Sequence, residues 1–250
     1  MLVETGLILA GASIATIAMT VGIGGGILWT PLLILAYGLT AQEAVATSLI
    51  IQIAGMGSGT IAFFRARLVE TRLVLAFFLA AAPGVILGSL ITVQMSQNTI
   101  QLALGIMALT LAFLFVSSTD DLEELESLGN NTVTSILPVP AFFGFMMGAL
   151  SVGIGEWLIP ALKHKLSLDM TRAIATVIPM MFLLAIVATS VHWTLAENIR
   201  LDYFAWGGLG TIIGGQVGVR LSQRMSERLL KQGFIYIMTL IGLHLIFQSI

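Results

Sequence analysis

The sequence predicts an all-α polytopic membrane protein built as an inverted repeat. Hydrophobic residues make up 57% of the 250 residues and charged residues only 10%. Charge-free runs long enough to cross a bilayer recur along the chain. A glycine-rich interruption of these runs occurs twice, once in each half of the chain. From this pattern we expect six full spans and two re-entrant hairpins, eight hydrophobic segments in all.

The charge-free runs locate the membrane segments. A run of about 18 or more apolar residues can cross the hydrocarbon core as a helix. A soluble domain of this size would carry far more charge, so we set aside a soluble fold. The runs cover 5–42, 44–64, 73–119, 127–155, 173–191, 203–219 and 232–250.

Two repeats joined by an acidic linker account for the whole chain. We expect the first repeat at 1–117, with a hairpin at 6–38 and helices at 41–64, 73–92 and 99–117. The linker at 118–137 carries acidic residues and no basic one. The second repeat, at 138–250, has a hairpin at 138–166 and helices at 170–192, 201–219 and 231–249.

The repeat rests on matches at nearly constant spacing. Pro31 and Pro160 are 129 residues apart, and at that offset Ala44-Val45-Ala46-Thr47 matches Ala173-Ile174-Ala175-Thr176. Two further matches need offsets of 126 and 131, shifts that loop insertions would produce. They place Gly84 and Gly88 on Gly210 and Gly214, and Val21–Gly24 on Val152–Gly155.

Three sequence signals predict where helices begin. Thr40 with Glu43 three residues later forms a capping-box pattern, and Asp169 stands at the matching position of the second half. Thr30 followed by Pro31 predicts a cap and a first helical residue, because proline is favoured at the first position of a helix.

The distribution of arginine and lysine selects the hairpin topology. If the interrupted segments crossed fully, the basic residues would divide 4 to 7 between the two faces. If each interrupted segment enters and returns, 10 basic residues share one face and only Arg200 lies opposite, as the positive-inside rule expects. Because each half has an odd number of full spans, three, the second repeat has the opposite orientation in the membrane. The hairpins therefore enter from opposite faces and meet near the centre. Both termini are then extracytoplasmic.

The glycine clusters are the candidate substrate site. Backbone N–H groups at the start of a returning helix carry partial positive charge and bind anions; alternatively, the glycines only allow close helix packing. Hydroxyls two turns into the following spans would donate to an oxyanion, or else bond back to their own helix. The candidate binding residues are Gly24, Gly25, Gly26, Thr47, Ser48, Gln52, Gly153, Gly155 and Thr176.

Glu156 is the acid expected deep in the membrane, within the second interruption. An ionisable residue at that depth indicates function. Glu156 either carries a coupling proton or pairs with Arg172 or Lys163. The motifs Gly84-x-x-x-Gly88 and Gly210-x-x-x-Gly214 are instead typical of helix packing, and they also allow a homodimer.

Several classes of function are excluded. The chain has no cysteine and its three histidines lack metal-ligand spacing, so we expect no disulfide, metal or cofactor. A net charge of −2 gives no indication of nucleic-acid binding. No HExxH motif is present and no serine motif pairs with His192, so we expect no enzyme. The expected partners are membrane lipid and a small anion, and a pure scaffold is the competing class.

The combined motifs resemble the TauE/SafE sulfite exporter family of bacterial and plant permeases. They are Gly22-Ile23-Gly24-Gly25-Gly26 with Pro31, then Ala44-x-Ala46-Thr47-Ser48, then Gly84-x-x-x-Gly88. The resemblance covers nearly the whole chain. It implies a multi-pass protein of the bacterial inner membrane that exports sulfite, sulfoacetate or a similar sulfonate from the cytoplasm by alternating access, with the site at the glycines and hydroxyls named above.

The second half departs from this pattern. Glu156 stands near where another glycine is expected, and Val177 replaces serine, so the two half-sites are unequal. Thiosulfate-uptake relatives rely on cysteines, and their absence here counts against that substrate. The alternative is an uptake permease or channel for another small organic or inorganic anion.

Overall fold

A computed structural model describes residues 2–117, 133–196, 199–222, 224 and 239–247. These residues are helical, with turns and short connections and no strand, which confirms the predicted all-α class. Most of the acidic linker, 118–132, and the first part of the helix predicted at 231–249 lie outside the described residues.

The described helices follow the hydrophobic segments of the sequence. By length and composition, four helical stretches in the described part of the chain can cross a membrane: Val3–Val21, Ala41–Arg65, Thr71–Thr92 and Met170–Leu195. A 3₁₀ helix spans Val133–Ser135, and residues 239–247 are helical. The α-helices are α1 (Leu2–Val21), α2 (Gly26–Tyr37), α3 (Ala41–Arg65), α4 (Thr71–Thr92), α5 (Gln97–Ser117), α6 (Pro138–Leu150), α7 (Gly155–Leu166), α8 (Met170–Ala196) and α9 (Leu201–Ser222).

Side-chain caps fix the starts of α3 and α8, as predicted. The Thr40 hydroxyl accepts from the backbone N–H of Glu43, and the Glu43 carboxylate accepts from the backbone N–H of Thr40 at 2.9 Å. The Asp169 carboxylate accepts from the backbone N–H of Arg172 at 3.0 Å. Each cap satisfies an N–H that lacks a partner within the first helical turn.

The returning helices α2 and α7 are built alike. Each has 12 residues, each carries its proline at the sixth position, and each ends on a left-handed residue, Gly38 or Ser167. The predicted cap at Thr30 is therefore wrong, because α2 begins at Gly26 and Pro31 lies inside it. Buried neighbours tolerate a proline within a membrane helix by satisfying the backbone groups that it frees.

Both interrupted segments fold back toward the end from which they came. The Tyr37 hydroxyl, at the end of α2, lies 3.1 Å from the position that a Cβ on Gly6 would occupy. In the second half, Lys165 near the end of α7 donates to Ser135 O, just before α6, at 3.3 Å. The arms differ in length. With 20 residues, α1 spans about 30 Å, longer than the half-depth arm expected, whereas α6 spans about 20 Å.

The first arm of each hairpin packs on a helix of the other half. Helix α1 lies along α9, where Gly210 and Gly214 face the carbonyls of Ile8 and Ala12. Helix α6 lies along α4, where Gly88 faces the carbonyl of Phe145. A Cβ at any of these glycines would overlap the facing carbonyl, so the glycine motifs serve the close helix packing that was predicted for them.

Contacts between loops define which helix ends lie together. Arg172, at the start of α8, forms an ion pair with Glu70 in the α3–α4 turn at 3.4 Å. At the opposite helix ends, the N–H of Arg200, just before α9, donates to Thr47 near the start of α3. The basic residues at 65–72 therefore lie at the same end of the molecule as Arg172, and Arg200 lies at the other end.

Candidate functional site

The two chain breaks meet backbone to backbone in the buried interior. A Cβ on Gly24 would overlap Gly153, and a Cβ on Gly153 would overlap Gly24. Likewise, a Cβ on Gly26 would overlap Ser151 O, and one on Gly155 would overlap Gly22 O. Only glycine fits at these contacts, and we call this meeting point the hairpin tips (residues 22–26 and 151–155).

The tips match one another at a single offset of 129 residues. Gly22 and Ser151 both take left-handed backbone conformations, with φ of 80° and 60°, and each ends the first arm of its hairpin. The offset of 131 suggested by the sequence for Val21–Gly24 is therefore wrong by two residues. Glu156 corresponds to Ile27 rather than to a missing glycine.

A buried group of hydroxyl and amide side chains, which we call the polar cluster, lies beside the tips and consists of Thr30, Ser48, Gln52 and Ser151. The Ser48 hydroxyl lies 2.9 Å from the Thr30 hydroxyl and donates to the Ser151 hydroxyl at 2.7 Å. Gln52 Nε2 donates to the Ser151 hydroxyl at 2.7 Å and to Ser48 O at 3.1 Å. The Ser48 hydroxyl also donates to Val45 O at 2.9 Å, so its single proton is divided between Val45 O and the Ser151 hydroxyl.

Sequence reasoning identified two members of the polar cluster and missed the other two. The sequence predicts Ser48 and Gln52 as binding residues, whereas its pattern at Thr30 predicts a helix cap and gives Ser151 no role. A signal for Ser151 was present, because it stands two residues before Gly153 in an otherwise apolar segment.

The polar cluster has no counterpart in the second half. At the offset of 129, Thr30 corresponds to Ile159, Ser48 to Val177 and Gln52 to Met181. These three apolar side chains are buried. The site is therefore one-sided: three of its four polar side chains come from α2 and α3.

Glu156 lies at the tips with its carboxyl group buried. The residue is 3% exposed, and its Oε1 accepts from the backbone N–H of Gly24 at 3.1 Å. Its Oε2 has no hydrogen-bond partner among the described residues. The alternative of pairing with Arg172 is wrong, because Arg172 contacts Glu70 and Asp169. Pairing with Lys163 is not seen either, since that side chain is exposed.

The predicted binding residues Thr47 and Thr176 occupy matching structural positions away from the polar cluster. The Thr47 hydroxyl accepts from Arg200 N at 3.0 Å, and the Thr176 hydroxyl accepts from Glu70 N at 3.2 Å. Each threonine thus accepts from a backbone N–H just before a helix of the other half, α9 for Thr47 and α4 for Thr176. Gly25, also predicted, is the N-cap of α2 and lines a small cavity.

That cavity lies between the first hairpin and the neighbouring helices. Its volume is about 10 Å³, enough for about one water molecule. Its lining includes Gly25, Trp29, Gln52 and Thr211, and Gln52 Oε1 has no hydrogen-bond partner in the described part of the chain. Beside this cavity the tips and the polar cluster contact each other directly, through Ser151 and through the close approach of Gly26 to Gln52. No group of three or more described His, Asp or Glu side chains is placed to bind a metal.

Comparison with known proteins decides the family. Residues 7–245 match the family model described as "Sulfite exporter TauE/SafE". The chain belongs to this family. Membership places it among membrane transporters and not enzymes, as the sequence predicted.

The TauE/SafE chain is also similar to full-length bacterial relatives. The probable membrane transporter protein YunE of Bacillus subtilis is 22% identical over 98% of this chain and 97% of its own length. YjnA of the same organism, a probable membrane transporter protein, is 28% identical over 96% and 98% of the two chains. A probable membrane transporter protein of Xylella fastidiosa is 25% identical over 91% and 89%. No solved structure matches the chain significantly.

Proposed function

We propose that the protein exports a small sulfur-containing anion, such as sulfite, sulfoacetate or a similar sulfonate, from the cytoplasm by alternating access. The single observation behind this proposal is the meeting of two broken helices beside a buried group of hydroxyl and amide donors. Broken helices that meet at mid-depth are a recurrent substrate site in transporters. The family description supplies the sulfur anion as the substrate class.

The donors at this site suit an anion of low charge. Gly24 N, the hydroxyls of Thr30, Ser48 and Ser151, and the Gln52 amide can all donate hydrogen bonds without carrying formal charge. Donors of this kind bind oxyanions without the desolvation that a buried arginine or lysine would require. Weak, uncharged binding also favours release, which a transporter needs on its far side.

We infer an inverted-repeat topology of six spans and two hairpins in the bacterial inner membrane, with extracytoplasmic termini. Each of these contacts has an equivalent when the two halves are interchanged. The packing of α1 on α9 corresponds to that of α6 on α4, and the bond between Thr47 and Arg200 corresponds to the bond between Thr176 and Glu70. The shared end of residues 65–72 and Arg172 agrees with the basic face of the hairpin interpretation.

Because the chain contains no native cysteine, single cysteines report this topology directly. In right-side-out vesicles, an impermeant maleimide should label a cysteine at Gly38 and fail to label one at Arg65. Labelling of both positions from one face would overturn the hairpin topology. A cysteine at Arg172 should share the behaviour of the one at Arg65.

Export requires no coupling ion under this proposal. With the cell interior negative, outward movement of an anion is favourable by about 2.3 kcal/mol per charge per 100 mV. A proton carried by Glu156 would change that stoichiometry, and uptake of another small anion is the competing proposal.

Flux into proteoliposomes tests the function. Sulfite and sulfoacetate should enter liposomes that contain the wild-type protein, and an imposed potential should drive them toward the positive side. Ser48→Val, which installs the second-half residue, should lower the flux at least tenfold. Ser190→Ala is the matched control, because that exposed hydroxyl bonds only to its own helix. Flux that follows a cation would refute anion transport, and flux of unrelated anions alone would favour the competing proposal.

A further inference from the structure

The proposed function leaves one group unexplained, the carboxyl of Glu156 at the centre of a site meant for anions. A buried carboxylate repels an anionic ligand, and an isolated one is costly to bury. No ion pair found in the described part of the chain includes it, since the pairs seen there join Arg172 to Glu70 and Asp169, and Arg200 to Asp202.

The carboxyl takes the place that an oxyanion would take. Its Oε1 accepts from Gly24 N at 3.1 Å, the tip N–H that was predicted to hold substrate. Its Oε2 lies 2.9 Å from the position of a Cβ on Gly153 and has no partner among the described residues. Oε1 is therefore bonded to the first tip and Oε2 lies beside the second without a bond, so the carboxyl occupies the space between the tips that an oxyanion would need.

We propose that Glu156 is a tethered ligand that holds the substrate site closed and is displaced when the substrate anion binds. This inference rests on the proposed anion site and specifies how that site is regulated. In the closed state the carboxyl satisfies Gly24 N, a buried donor that requires an acceptor. When substrate arrives, one of its oxygens takes over Gly24 N and the Glu156 side chain rotates away.

The displacement selects a class of substrate. A ligand must supply one oxygen to Gly24 N and at least one more to the polar cluster, where the hydroxyls of Ser48 and Ser151 and the amide of Gln52 are hydrogen-bond donors. Sulfite and sulfonates carry three such oxygens on one centre. A halide, with a single centre, can occupy one of these two positions but cannot bridge them, so we expect halides to displace Glu156 poorly.

The test compares Glu156→Gln with the wild type in the full chain, purified in detergent. The amide keeps the shape of the side chain, cannot carry a negative charge and accepts from Gly24 N more weakly than a carboxylate does, since hydrogen bonds to charged groups are about twice as strong. Sulfite and sulfoacetate, titrated by calorimetry, should bind the variant about tenfold more tightly, which corresponds to about 1.4 kcal/mol. Chloride should gain less than twofold.

Glu70→Gln is the matched control. It makes the same chemical change at a half-exposed carboxylate paired with Arg172, and it should change anion affinity by less than twofold. Equal or weaker binding of both sulfur anions by Glu156→Gln, with binding by the wild type, would overturn the tethered-ligand inference and leave the proposed function standing. If no sulfur anion binds either protein, the proposed function fails and the inference fails with it.

A second measurement does not depend on the folding of the variant. Infrared difference spectra of the wild type, recorded on adding sulfite, which has no carboxyl group of its own, should show a change in a protein carboxyl band as the bond to Gly24 N breaks. The shorter carboxyl of Glu156→Asp should shift that band and thereby assign it. Binding of sulfite with no change in any protein carboxyl band would contradict displacement.

Discussion

The two hairpins have matching returning helices and tips but differ in their side chains. Their returning helices have the same length, the same proline position and the same left-handed end, and their tips exchange equivalent contacts. Yet the first half places Thr30, Ser48 and Gln52 where the second half has Ile159, Val177 and Met181. The comparison indicates that the paired backbone provides the framework and that the chemistry is concentrated on one side of it.

Glu156 in the second hairpin reinforces this difference. Glu156 occupies the position that Ile27 holds in the first hairpin, and its carboxyl crosses to the N–H of Gly24. The first half thus supplies Gly24 N and three of the four polar side chains, and the second half supplies Ser151 and the carboxyl that accepts from Gly24 N. A symmetric site would present the same surface to both faces of the membrane, whereas this one does not.

The largest expected effect tests the shared backbone. Gly26→Ala and Gly155→Ala each place a methyl group into a facing carbonyl, that of Ser151 or Gly22. Because backbone cannot yield as a flexible side chain can, we expect each change to lower the free energy of unfolding by about 3 kcal/mol or more. Thermal unfolding in detergent would show a lower transition temperature or a failure to obtain folded protein.

The control for this prediction lies in the same tip. The methyl group of Gly25→Ala would meet its nearest atom at 3.5 Å, an ordinary contact. This variant should change the free energy of unfolding by about 1 kcal/mol or less, and its transition temperature should stay near that of the wild type. If Gly26→Ala were as stable as Gly25→Ala, the tips could not touch as described. If only one of Gly26→Ala and Gly155→Ala were harmful, the equivalence of the two tips would be lost.

An intermediate effect compares the matched threonines. Thr47→Val and Thr176→Val each keep the shape of the side chain and leave one half-buried N–H, of Arg200 or Glu70, without its acceptor. Each should cost about 0.5–1.5 kcal/mol of stability, the usual net contribution of a hydrogen bond, and the two costs should agree within about twofold. Thr60→Val is the control, since its hydroxyl has no partner among the described residues and its loss should be neutral or stabilising. A large cost at Thr47 with none at Thr176 would show that the halves are not mechanically equivalent.

The smallest expected effect on stability is paired with a large one on binding. Gln52→Met installs the second-half residue, removing a donor with two acceptors together with an unpartnered oxygen. Since these changes offset each other, we expect a stability change of about 1 kcal/mol or less. Sulfite affinity measured by calorimetry should fall at least tenfold. Met181→Leu, the control in the other half, should leave that affinity unchanged, and an equal loss there would remove the argument for a one-sided site.

Local signals in the sequence predicted the elements that depend on neighbouring residues. The caps at Thr40 and Asp169 each involve residues three positions apart, so the pattern alone determines them. The glycine interruptions also appear at the expected places, because a break in a long apolar run has no other local explanation. The start of α2 was missed, since proline is only favoured at a helix start, whereas contact with Ser151 requires glycine at Gly26.

Local sequence patterns could not predict the contacts between distant segments. The roles of Thr47 and Thr176 depend on loops more than 100 residues away, and nothing near either threonine indicates that its hydroxyl is an acceptor. The polar cluster likewise joins Ser48 to Ser151 across 103 positions. Chemical type suggested that these hydroxyls were candidates, but only the packing of the halves decides which of them meet.

The packing of α1 on α9 and of α6 on α4 has a consequence for how the molecule moves. Each hairpin packs through its glycines on a helix of the opposite half, so under the proposed alternating access each moving body would combine segments of both halves. Neither half, produced as a separate polypeptide, would contain a complete moving body. Fragments 1–117 and 138–250 should therefore be insoluble or unfolded alone and should regain a working carrier only when produced together.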